Sequence, residues 1–115
     1  MPANSLINKE HFQQVTLNNR DFAIEVLEKS LFQAEVYATA LNKALAEGDF
    51  MEIKKIVQQL KSTALIFGMN EWAADIRKIE MAHRDKFEEH KSIILATQKM
   101  LTEFISEAKL LKASF

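Results

Sequence analysis

Three histidines, His11, His83 and His90, are the first places to look for chemistry, because an imidazole can ligate a metal, move a proton or accept a phosphoryl group. No two of them stand four residues apart, the spacing that sets two ligands on one face of a helix, so no metal site is expected. His83 and His90 flank a charged stretch, where solvated polar side chains are the ordinary outcome. The carboxylate pairs Glu25–Glu28 and Glu88–Glu89 read as ordinary solvated helix residues, with nothing around them to suggest the desolvation that raises a carboxyl pKa for acid catalysis. With no cysteine, thiolate zinc sites, iron–sulfur clusters, disulfides and cysteine nucleophiles are excluded. Gly48 and Gly68, the two glycines, are too far apart for a phosphate-cradling loop. The lysines and arginines lack the aromatic interleaving of a single-strand nucleic-acid groove. No cofactor, catalytic residue or enzyme activity is expected.

One face remains. Lys54, Gln58, Lys61, Ser62 and Leu65 recur at spacings of three and four, with Lys55 alongside, so they share one side of a helix. That side is basic, small at Ser62 and apolar at Leu65. A solvated helix side accounts for the lysines but not for Leu65.

The elements that must carry this face can be read from stops and stripes. Gly tolerates the left-handed conformation that ends a helix, and Asp or Asn accepts a hydrogen bond from the free amides that begin one. Gly48 before Asp49 and Gly68 before Asn70 therefore mark two joints, and Asp49 with Glu52 has the form of a capping box. A helix is expected from about Asp49 to Phe67, with Phe50, Ile53, Val57, Leu60, Ala64 and Phe67 as its apolar stripe. Ahead of it, Asn19 caps a long helix whose stripe is Ile24, Leu27, Leu31, Ala34, Ala38, Leu41 and Leu45. After Asn70, expected as a cap, Trp72, Ile76 and Ile79 give a shorter helix to about His83. Arg84-Asp85-Lys86 breaks the chain, and Ile94, Thr97, Leu101, Phe104, Ala108 and Leu111 form a last long stripe. A short helix is expected over Asn8 to Thr16.

Four amphipathic helices with short connections favour an all-α, antiparallel up-down-up-down four-helix bundle, preceded by the short N-terminal helix. Length agrees: 115 residues make one domain, residues 1–115, which by surface scaling exposes about 6,400 Å² when folded. The net charge of −1 supplies no general field for nucleic acid or an anionic membrane. Uncharged stretches such as 62–70 are too short to span a bilayer, and Met1-Pro2-Ala3-Asn4-Ser5-Leu6 has no basic start before an apolar run. A cytoplasmic monomer is expected.

The stretch Val57-Gln58-Gln59-Leu60-Lys61-Ser62-Thr63-Ala64-Leu65-Ile66-Phe67-Gly68 resembles the signature of histidine-containing phosphotransfer (HPt) domains, the carrier modules of two-component phosphorelays. That signature is a His, a Lys three later, a small residue four later and a Gly ten later. Lys61, Ser62 and Gly68 fill the last three places, and Gln58 stands in the first. Ile79-Glu80 resembles the Leu-Glu close of the family's next helix, and Leu17-Asn18-Asn19-Arg20-Asp21-Phe22 resembles the opening of its first long helix. The resemblance extends from about Asn8 to the C-terminus.

Phosphotransfer needs a ring nitrogen with a free lone pair. The carboxamide nitrogen of Gln58 has its pair delocalised into the carbonyl, so Gln58 marks the phosphoacceptor position without being able to serve as one. The resemblance then implies a pseudo-HPt protein whose partner is a response-regulator receiver domain or a hybrid histidine kinase. Lys54, Lys55, Gln58, Lys61, Ser62 and Leu65 would form the docking face, with the lysines meeting the receiver's acidic, magnesium-binding pocket. The alternatives are an active phosphocarrier using another histidine, His83 or His90, and a helical scaffold outside phosphorelays.

Overall fold

The side chains of Asn8, Asn19 and Asp49 each accept a hydrogen bond from the amide three residues on, of His11, Phe22 and Glu52, and each starts a helix. The structure, a computed structural model, describes residues 6–115, so the expected lack of an export leader at residues 1–5 lies outside it. Among the described residues the chain forms α1 (Lys9–Val15), α2 (Arg20–Glu47), α3 (Phe50–Ile66), α4 (Asn70–Met81) and α5 (Phe87–Ala113), with a 3₁₀ turn at Arg84–Lys86 and no strand. No helix among them is long and apolar enough to cross a membrane.

The two joints flanking α3 are built alike. At the first, Gly48 is left-handed (φ 66°), its N–H donates to the Leu45 carbonyl (3.2 Å), and the Asp49 N–H donates to the Ala44 carbonyl (2.9 Å). At the second, Gly68 is left-handed (φ 64°), its N–H donates to Leu65 (3.2 Å), and the Met69 N–H donates to Ala64 (2.8 Å). This pair of bonds satisfies the last carbonyls of a helix. At each joint one residue, Asp49 or Met69, both closes one helix and begins the next.

That sharing corrects two expectations. Asn70 is not the cap of α4 but its first residue; buried Met69 holds the cap position and makes no side-chain hydrogen bond. Only half of the capping box at Asp49 forms, because the Asp49 N–H that Glu52 would reach already donates to Ala44. The expected end of α4 also moves back, from about His83 to Met81, where Ala82 turns extended.

α2 packs chiefly on α3 and α5, and α4 packs on α3 and α5, so the four long helices close a ring around the core. Leu27, Leu41, Ile53, Val57, Leu60, Ile76, Ile79, Ile94 and Leu101 fill it and are fully buried. At one end Phe12 stacks on Phe67 (4.6 Å between centroids), Phe67 meets Phe104 edge-on (4.9 Å), and Trp72 lies 5.9 Å from Phe104, so aromatic contacts tie α1, α3, α4 and α5 together. The expected stripes line this core, although Ala38, Leu45 and Leu111 are only half-buried. Ala23, not Ile24, is buried at the start of α2, Ala44 is buried near its end, and Ile56 joins the buried side of α3. The accessible surface is 7153 Å² and the molecule measures 44 × 24 × 23 Å.

Candidate functional site

α3 buries Ile53, Val57, Leu60 and Ala64 and leaves Lys55, Gln58, Ser62 and Leu65 exposed. At about 100° per residue, Leu65 stands beside Gln58 toward α4, while Ser62 and then Lys55 lie toward α2. Leu65 is 52% exposed, and the core does not need it because Ala64 and Phe67 already occupy that level. The face proposed from spacing is therefore an exposed strip along α3, with Gln58 in its middle.

Its lysines divide. The Lys54 ammonium donates to the carbonyl of Ala82 at the end of α4 (3.0 Å) and lies 5.8 Å from the centre of the Phe50 ring. Lys61 donates to Glu80 on α4 (3.1 Å). Both side chains are half-buried and lean off the strip toward α4, whereas Lys55 is exposed and has no ion pair among the described residues. The expectation of three lysines all presented outward is corrected: one is free, one is neutralised by a carboxylate, and one caps a helix end, where an ammonium meets unpaired carbonyls and the negative end of the helix dipole.

The other edge of the strip is a shallow groove of about 390 Å³ between α2 and α3. Ser62 and Gln59 from α3 face Lys29, Gln33 and Tyr37 from α2 across it. Reading α3 alone missed these α2 residues, although their spacing of four marks one flank of a helix. Lys29 supplies a second exposed ammonium at the rim.

At its C-terminal end the strip meets α1. The Asn8 N–H donates to the Phe67 carbonyl (2.9 Å), and Nε2–H of His11 donates to the Leu65 carbonyl (2.9 Å); a carbonyl only accepts, which fixes the donor on the ring. His11 thus reaches the strip, while His83 lies exposed beyond Ala82 and Nδ1–H of His90 donates to the Lys86 carbonyl (3.0 Å). Gly68 is confined as well as left-handed: a Cβ there would lie 2.7 Å from Cβ of Asn8 and 3.1 Å from Cβ of His11. Among the described residues no group of three or more His, Asp or Glu side chains is arranged to hold a metal ion.

Comparison of the chain with protein-family models, with curated proteins and with solved structures finds no match.

Proposed function

We propose that this chain is a pseudo-phosphotransfer module: an HPt-like, antiparallel up-down-up-down bundle that acts in the cytoplasm by docking on receiver domains without carrying phosphate. The observation that supports the reading most is the exposure of Gln58 mid-way along α3, with Ser62 and Leu65 exposed on the same strip and Lys61 one turn away at its edge. A side chain at that place is presented to whatever docks there, and its chemistry decides whether transfer follows.

A receiver seated on the strip brings its phosphoaspartate toward Gln58. The carboxamide can donate hydrogen bonds to phosphoryl oxygens, but its nitrogen lone pair is delocalised into the carbonyl and does not attack in line, so the phosphoryl group stays on the receiver. Lys55 and Lys29, with Lys61 partly neutralised by Glu80, give the strip a modest positive bias toward an acidic pocket. Leu65 supplies an apolar anchor next to Gln58, and small Ser62 admits a close approach. Such a protein regulates a relay by occupying receivers that a competent carrier would otherwise reach.

The reading is tested by titrating the protein against each receiver domain of its own organism, including those fused to histidine kinases. Saturable binding to one or a few is expected; binding to none contradicts the proposal.

A further inference from the structure

α2 has two working flanks. One, with Ser30, Gln33 and Tyr37, borders the groove beside the α3 strip; the other, with Glu28, Leu31, Phe32 and Glu35, borders a separate groove of about 620 Å³ against the last turns of α5. Phe32 stands at the lip of this second groove with 70% of its surface exposed, and Val36, one turn on, is 50% exposed. Ion pairs bridge the groove: Glu28 to Lys112 (3.2 Å) and Glu35 to Lys109 (3.5 Å). The face therefore carries a protruding phenyl ring, a hole beside it, an acidic row on α2 and a basic row on α5.

We infer that this face pairs with a second copy of the chain across a two-fold axis parallel to the helices. A knob and a hole on one surface are what an isologous contact requires, since each copy offers both. The charges select the axis. Rotation about a line parallel to the helices lays α2 over the partner's α5 at the same height, so the Glu28–Lys112 and Glu35–Lys109 pairs of one copy meet those of the other with opposite charges facing. Rotation about a line across the helices would set α2 on the partner's α2, carboxylate against carboxylate. A standard interface needs about 800 Å² from each partner, which a bundle 44 Å long and 24 Å wide can supply from one side. The net charge of −1 leaves little repulsion between copies.

This departs from the monomer expected from the sequence, which assumed polar outer faces; Phe32 and Val36 break that polarity. The inference does not depend on the proposed function, because the strip at Gln58 lies on α3 and stays open in the pair.

Sedimentation equilibrium of the full chain over a range of concentrations tests it. The wild type is expected to show a monomer–dimer equilibrium, weakened about tenfold or more in Phe32→Ser, with helical content unchanged because the ring is exposed. Reversing the acidic row (Glu28→Lys with Glu35→Lys) should abolish pairing, and adding Lys109→Glu with Lys112→Glu should restore it. A wild type that stays monomeric at every concentration overturns the inference and leaves the face to a different protein. Unchanged association in Phe32→Ser, or failure of the fourfold exchange to restore pairing, overturns it as well.

Discussion

The ammonium of Lys61 lies 3.1 Å from Oε1 of Glu80, joining α3 to α4 beside the exposed strip. The pair is half-buried, with side-chain exposures of 42% for Lys61 and 20% for Glu80, so it holds the lysine to one side rather than leaving it mobile in solvent. Glu80 thereby sets how much positive charge the strip can offer a partner.

Glu80→Gln should release Lys61. An ion pair this accessible contributes about 1 kcal/mol or less, so urea denaturation should show only a small loss of stability. Receiver binding should tighten severalfold at low salt, with a steeper dependence on ionic strength, because a freed ammonium reaches an acidic partner. Titrations at two salt concentrations read both effects.

Leu65→Asp should weaken receiver binding by about tenfold or more, since it puts a carboxylate where the strip offers an apolar anchor against an acidic partner. Stability should change by no more than about 0.5 kcal/mol, because the side chain is exposed and its level of the core is filled by Ala64 and Phe67. Calorimetric binding and thermal melts of the same sample separate the two.

The two glycines should respond unequally to alanine. At Gly48 nothing lies within 4 Å of an added Cβ, so Gly48→Ala bears only the left-handed backbone cost of about 1–2 kcal/mol. At Gly68 the same cost is joined by collision with Asn8 and His11, and the total should exceed that of Gly48→Ala by about 1–3 kcal/mol. Urea denaturation gives the difference, and loss of α1 docking should accompany it.

What the sequence disclosed and what it hid divide along physical lines. The stripe Ile53, Val57, Leu60, Ala64 was legible because burial on one helix repeats every three or four residues, and the caps Asn19 and Asp49 because they act within three residues. Asn70 was misread because a bond from Met69 back to Ala64 decides where α4 begins, and that bond depends on how α3 ends. The exposure of Gln58 and Leu65 followed from their angle to the stripe. The partners of Lys54 and Lys61 did not, because Ala82 and Glu80 reach them only through the rotation of α4 against α3, which no spacing within α3 records. The same holds for Lys29, Gln33 and Tyr37, which join the strip only because α2 packs there.

Installing the missing nucleophile tests the central claim most directly. Gln58→His places an imidazole on an exposed position of α3 without repacking, with Lys61 three residues on and Ser62 small enough to admit a partner. A receiver that binds the parent is phosphorylated, mixed with parent or variant, and the bundle is assayed for acid-labile phosphate. The account predicts label on Gln58→His and none on the parent. Label on the parent, or none on a variant that still binds the receiver, would contradict it.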